Sequence, residues 1–176
     1  LEALPSGTRV DAVGPAGYFG PRQADIDAWN AGASGNNCPH CPTPEEVVES
    51  ARLAMPELRA RLLEHRAVAD AFVNPDGSTP ALELYEAGQS FVANYQPWGT
   101  AAMLAQSIPS MYDAYVLDLI PMLVEEGLNQ VNWYSFIADN SAVGSGAGPF
   151  GHWDSMNQTI TLPVREPYLH EGVPKA

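Results

Sequence analysis

The chain has 176 residues, 21 of them acidic against 8 basic, for a formal net charge of −13. Such a length buries a core without disulfide staples, and such a charge repels phosphates and anionic lipid, which excludes nucleic acid and membrane surfaces as main partners. Charged residues at 16% and apolar residues at 45% exclude a disordered chain, and no apolar run reaches the roughly 18 residues of a membrane span.

The opening Leu1-Glu2-Ala3-Leu4-Pro5 lacks an initiator methionine and a basic-then-apolar leader, so it reads as processed or cut from something longer. Strand character begins at Arg9–Val13 and runs through Gly14-Pro15-Ala16-Gly17 to Tyr18-Phe19. Gly20–Pro42 reads as a long irregular loop. A helix then starts at Thr43, where Thr43-Pro44-Glu45-Glu46 supplies an N-cap hydroxyl, a first-turn proline and the glutamate of a capping box. Val47, Ala51, Ala54, Leu58 and Leu62 form its apolar stripe, Pro56 predicts a kink or split, and the helix fades near Phe72 before the turn Asn74-Pro75-Asp76-Gly77.

The second strand is Ala81–Glu86, opened by Pro80 and closed by Ala87-Gly88. Helices follow at about Thr100–Ser107 and Ser110–Glu126, the longer one burying Tyr112, Tyr115, Leu119, Met122 and Leu123, kinked at Pro121 and stopped by Gly127. The third strand, Gln130–Ile137, is rich in aromatic and branched residues. A second long loop, Ala138–Asp154, carries the glycine-rich Gly144–Gly148 stretch, which lacks the Gly-Lys-Ser/Thr ending and following helix of a phosphate loop. Strands alternating with long helical crossovers predict an α/β fold of parallel βα units, with the loops after the strand ends building a site.

Glu86 is placed at the last position of the second strand, sharing a face with Leu82 and Leu84, so that its carboxylate opens at the mouth of that site. Trp133 and Tyr134 close the aromatic run of the third strand, while Trp98, Tyr95, Phe150 and Trp153 lie in loops after strands. Aromatic rings stack on the C–H faces of sugars, and Gln89, Asn94, Asn132 and Asp154 offer partners for sugar hydroxyls. His152, between Gly151 and Trp153, is a further sugar-contacting candidate; His65 beside Glu64 and Arg66 is a solvated residue.

Three motifs carry a resemblance: Gly14-Pro15-Ala16-Gly17-Tyr18-Phe19-Gly20, Leu84-Tyr85-Glu86-Ala87-Gly88-Gln89-Ser90 and Phe150-Gly151-His152-Trp153. Together they resemble the C-terminal part, about strands 6 to 8, of the TIM-type (β/α)8-barrel glycoside hydrolases that retain configuration through two glutamates. The resemblance covers roughly residues 9 to 155. It implies Glu86 as nucleophile, Tyr18 as the tyrosine that orients it, and Trp133 as a sugar platform, with Gln89, Asn132, Trp98, His152 and Trp153 as further substrate contacts. The substrate would be a polysaccharide or oligosaccharide, and no cofactor is expected. In that family the acid/base carboxylate comes from an Asn-Glu pair on the fourth strand, which this sequence lacks. A full barrel takes about 250 residues, so residues 1–176 are expected to be a single segment of a longer chain, inactive without an N-terminal part of the same barrel.

Cys38-Pro39-His40-Cys41 leaves a competing class open, a thiol–disulfide oxidoreductase whose first thiolate is stabilised by a helix N-terminus. The glycine-rich segment before it and the Pro42-Thr43-Pro44 after it favour a local Cys38–Cys41 disulfide in a secreted protein. His40, Cys38 and Cys41 fall short of the four ligands of a structural zinc, so no metal is expected. A non-catalytic carbohydrate-binding protein is the third reading; it would keep the aromatic cleft and tolerate loss of Glu86.

Overall fold

A computed structural model describes residues 4–33, 38–91, 96–106, 108–128 and 130–133. The first apolar run forms two short strands, β1 (Ala12–Val13) and β2 (Ala16–Phe19), parted at Gly14-Pro15, where proline has no N–H to give to a ladder. The second forms β3 (Ala81–Leu82) and β4 (Leu84–Gln89), and the third forms β5 (Val131–Trp133). All pairings are parallel: β1 with β3, and β2, β4 and β5 side by side in that order.

Six α-helices and one π-helical segment are described: α1 (Gln23–Asn30), α2 (Pro44–Leu53), α3 (Met55–Asp70), α4 (Gly99–Ala105), α5 (Pro109–Asp113), and α6 (Ile120–Glu125) after the π-helical Ala114–Leu119. The capping box forms as the sequence dictates. Thr43 Oγ1 accepts the Glu46 N–H and the Glu46 carboxylate accepts the Thr43 N–H at 2.7 Å. Pro56 splits the predicted helix into α2 and α3 around Ala54. Pro121 acts less by bending than by widening. Its ring cannot sit against the carbonyl four residues back, and the turns just before it take the wider π spacing. The Arg66 guanidinium donates to the Glu126 and Gly127 carbonyls at 3.1 and 3.3 Å, placing a cation at the negative end of α6. Arg52 on α2 pairs with Asp118 at 2.6 Å across to the π-helical segment.

Helix α1 corrects the expectation that Gly20–Pro42 is irregular throughout. Its cap position is Arg22, with no side-chain cap bond, so the usual start signal is missing. Tertiary contacts hold it instead. The Ser50 hydroxyl donates to Asp25 at 2.5 Å and accepts the Arg22 N–H, Arg22 and Asp25 pair at 2.8 Å, and Ile26 and Trp29, one turn apart, pack on the core.

The core lies between the helices and one face of the sheet. Phe19, Leu84 and Ala87 join Val47, Val48, Leu58, Leu62, Met111, Tyr115 and Leu119 in one buried cluster, with Val131 and Trp133 packed against it. Burial alternates along β2, with Gly17 and Phe19 inward and Ala16 and Tyr18 less buried. Gly17 is required by contact: a Cβ there would lie 2.3 Å from Leu84 Cδ1 and 3.3 Å from the Ala87 Cβ.

Away from that core, the Asn74–Gly77 turn is tied by the Gly77 N–H to the Asn74 carbonyl at 2.9 Å. Within it the Asp76 carboxylate accepts from the Ser78 hydroxyl and the Ser78 N–H at 2.6 and 3.0 Å. Those bonds first, then Arg9, lower its pKa to about 2, below the unfolded value of about 3.9. The stabilisation from this carboxylate is thus complete above about pH 4 and lost as pH falls through about 2. In acid unfolding, Asp76→Asn is expected to lose less stability than the wild type between those two pH values.

Candidate functional site

Two irregularities in β4 decide which side chains reach the face opposite the helices. Leu84 pairs with Val131 and Ala87 with Trp133, so Tyr85 and Glu86 together stand opposite the single residue Asn132. This is a β-bulge, which breaks strict alternation and re-aims side chains. Leu82 and Leu84 face the helices before it, and Ala87 and Gln89 do so after it, all four fully buried. Glu86 therefore does not share the face of Leu82 and Leu84, as plain alternation had it. Nor does it end the strand, since β4 continues to Gln89 in register with Phe19. The bulge interrupts the ladder at Leu84, and the Asn132 amide meets its carbonyl at 3.3 Å, supplying a donor where the disturbed ladder is weakest.

The face turned away from the helices consequently carries half-buried Tyr18 and Glu86 and exposed Tyr85 and Asn132. Glu86 pairs with Ala16, and Tyr18 pairs with Gly88 two residues further along. At about 3.3 Å per residue, Tyr18 lies roughly 7 Å nearer the C-terminal ends of the strands than Glu86. Gly88, with φ 139°, takes a backbone shape that other residues rarely adopt and adds no side chain beside Tyr18. The Tyr18 carbonyl accepts from the Arg61 guanidinium at 3.0 Å, linking this end of β2 to α3. The neighbouring Glu86 carboxylate, ahead of desolvation, pushes the Tyr85 phenol's pKa above the ordinary value.

Other sequence candidates are placed elsewhere. Gln89 is buried on the helix side: its N–H donates to the Tyr115 hydroxyl at 3.1 Å, its amide donates to Gln106 at 3.0 Å, and its amide oxygen accepts from Tyr115. Trp133 also turns to that side, its ring edge-on to Tyr115 with centroids 5.4 Å apart. Trp98 is buried at the start of α4 against Trp29, 5.2 Å away, and its indole N–H has no hydrogen-bond partner among the described residues. These three side chains are thus not gathered with Glu86, because Tyr115, Gln106 and Trp29 draw them into the packing. His152 and Trp153, with Asn94, Tyr95, Tyr134, Phe150, Asp154 and the Gly144–Gly148 stretch, lie outside the described residues.

Cys38 and Cys41 lie at disulfide distance, their Cα atoms 5.3 Å apart, and Cys41 Sγ sits 3.0 Å from the Pro97 carbonyl oxygen. The helix that follows does not aim its free N–H groups at them. Thr43 and Glu46 occupy that terminus, and the Glu46 carboxylate puts negative charge there. Among the described residues no group of three His, Cys, Asp or Glu side chains could hold a metal, and no helix is long and apolar enough to cross a membrane.

Tyr85 is the residue that sequence reasoning passed over. It was visible inside the Leu84–Ser90 motif, but alternation sends it to the face opposite Glu86, and only the bulge brings the two together. Fold and site define a mixed α/β protein with parallel strands and a bulged strand that sets Glu86 and Tyr85 opposite Asn132, away from the described helices. No family model matches the chain, and no curated protein or solved structure matches it.

Proposed function

We propose that the chain is the C-terminal portion of a (β/α)8 barrel, that of a retaining glycoside hydrolase acting on a polysaccharide or oligosaccharide, with Glu86 as nucleophile. The observation that carries this reading is the order of the sheet together with the side on which its helices lie. Strands β2, β4 and β5 are neighbours in chain order, and the core shared with the intervening helices takes up one sheet face. A doubly wound sheet reverses its strand order and puts helices on both faces; a barrel winds in one direction and keeps its other face for the interior. Glu86, Tyr18, Tyr85 and Asn132 lie on the face that would become that interior, and β-bulges favour active sites.

In the reaction, a Glu86 carboxylate oxygen bonds to the anomeric carbon as the bond from that carbon to the leaving oxygen breaks. The leaving oxygen takes a proton from a second carboxyl group about 5–5.5 Å from the first, which belongs to a part of the barrel outside this segment. Water then cleaves the glycosyl ester and returns the proton. Tyr18, diagonal to Glu86 and nearer the strand ends, is the proposed contact for the carboxylate or the sugar bound at it. The Cys38–Cys41 disulfide suits a secreted enzyme.

The test is covalent capture. The full-length natural chain, incubated with 2-fluoro-substituted glycosides bearing a good leaving group, is expected to gain the mass of one sugar, and peptide mapping should place it on Glu86. Turnover of glycosides with no adduct at Glu86, or an adduct on another residue, overturns the assignment. Sugar binding without turnover or label returns the chain to the class of carbohydrate-binding proteins.

A further inference from the structure

Where β2 and β4 run out, small residues leave room. The Ser90 N–H donates to the Phe19 carbonyl at 2.7 Å, carrying the ladder one step past Gln89, and a Cβ on Gly20 would lie 2.7 Å from the Ser90 carbonyl oxygen. Opposite them, α2 gives way to α3 at Ala54. Between Gly20, Ser90 and Ala54 opens a cavity of about 250 Å³ that also reaches Tyr18, Glu57 and Arg61. It falls below the roughly 300–1,000 Å³ of sites for drug-sized ligands and has room for one sugar ring.

Its polar groups are mixed and open. Arg61 donates to the Tyr18 carbonyl at 3.0 Å, which leaves most N–H groups of its guanidinium without a partner among the described residues. Among the same residues the Ser90 hydroxyl and the Glu57 carboxylate make no hydrogen bond. A guanidinium only donates and a carboxylate only accepts, whereas a hydroxyl does both. A ring bearing several hydroxyls satisfies such a set. An acidic sugar would set its carboxylate against Glu57, in the field of a chain of net charge −13, and an amino sugar would set its cation against Arg61. Glu86 pairs with Ala16, and Gly20 and Ser90 each lie four residues further along the chain from that pair. At about 3.3 Å per residue the cavity stands roughly 13 Å beyond Glu86 towards the strand ends, a span bridged by an oligosaccharide and not by a single ring.

We propose that this cavity is a remote sugar subsite, which makes the substrate a neutral, chain-like glycan that extends from Glu86 to Glu57, Arg61 and Ser90. The inference rests on the glycosidase reading of Glu86. A ring seated in the cavity donates a hydroxyl hydrogen to the Glu57 carboxylate and accepts from the Arg61 guanidinium, while the Ser90 hydroxyl does either. None of these groups touches a reacting atom, so the subsite acts through the binding of long chains.

The test is calorimetric titration of the full-length natural chain with cellohexaose, xylohexaose, mannohexaose and laminarihexaose as neutral probes and hexagalacturonate as an acidic one. At least one neutral probe is expected to bind, and more tightly than hexagalacturonate. With that probe, Glu57→Ala, which removes the acceptor, and Ser90→Val, which fills the cavity, should each weaken binding by about 10-fold, the size of a lost hydrogen bond to a charged group. Glu57 is exposed, so its truncation leaves the fold intact. Glu64→Ala, on the same helix and away from the cavity, controls for surface charge and should bind as the wild type does. Binding unchanged in Glu57→Ala or in Ser90→Val, tighter binding of hexagalacturonate, or no binding of any neutral probe overturns the subsite. Labelling of Glu86 by a fluoro-glycoside of one sugar, read on the same preparations, decides the nucleophile separately. No label on Glu86, with hexasaccharide binding still weakened by Glu57→Ala, overturns the nucleophile and leaves the cavity as the glycan site of a carbohydrate-binding protein.

Discussion

Glu86→Gln is expected to abolish turnover of glycosides by the full-length natural chain, by about 10⁴-fold or more, because removal of a nucleophile leaves only binding and the remaining electrostatics. Oligosaccharide binding should stay within a few fold of wild type. Glutamine keeps the length and hydrogen-bonding reach of glutamate, and Glu86 lies half-buried on the face away from the core, so folding is not at stake. Initial rates with an aryl glycoside and calorimetric binding of an oligosaccharide check the two halves. Retention of more than about a tenth of the rate is incompatible with a nucleophile at this position. An activated glycoside adds discrimination: its leaving group needs no protonation, so a lesion at the acid/base carboxyl is relieved by it, whereas a lesion at Glu86 is not.

The second large effect is on stability. Phe19→Ala should cost about 3–5 kcal/mol, the range for truncating a buried aromatic. Phe19 is 2% exposed, meets Phe91 edge-on at a centroid distance of 6.2 Å and Tyr115 at 5.6 Å, and has its carbonyl held by the Ser90 N–H at 2.7 Å. Little near it can collapse into the gap, for Gly17 already lies under Leu84 and Tyr115 is fixed to Gln89. Urea unfolding should show a lower midpoint with an unchanged slope; a loss below about 1 kcal/mol would mean that this end of β2 is not pinned by Phe19. Because Tyr18 is the next residue on the strand, loosening Phe19 should also blur the alignment of the site at temperatures where the fold survives.

Local signals were legible to the degree that they are local. Thr43 with Glu46 makes a capping box from four consecutive residues, Pro56 divides a helix wherever it falls, and the turn at Asn74–Gly77 closes on its own backbone and side chains. The parallel character of the strands was legible too, because crossovers this long and helical connect parallel neighbours. Helix α1 was hidden for the same reason that the others were plain. Arg22 offers no cap, and Ser50, 28 residues away, does the capping work by receiving the Arg22 N–H.

The site divides along the same line. The residue types were legible: a strand glutamate between a tyrosine and small residues, and a tyrosine on the preceding strand. Which of them meet was not. Alternation put Glu86 with Leu82 and Leu84, and residue type and the family resemblance put Gln89 and Trp133 in the cleft, but one extra residue in β4 reverses the faces beyond Leu84. Gln89 then goes to Tyr115 and Gln106, and Trp133 to Tyr115.

By itself, then, the sequence determined the capped helices, the breaks at its prolines and the parallel α/β class, all consequences of residues a few positions apart or of connection length. Tertiary structure alone decided which sheet face the helices took and where the register slipped, and so that Tyr85 stands beside Glu86. A register shift depends on the summed pairing of three strands far apart in the chain, and no local pattern carries that sum.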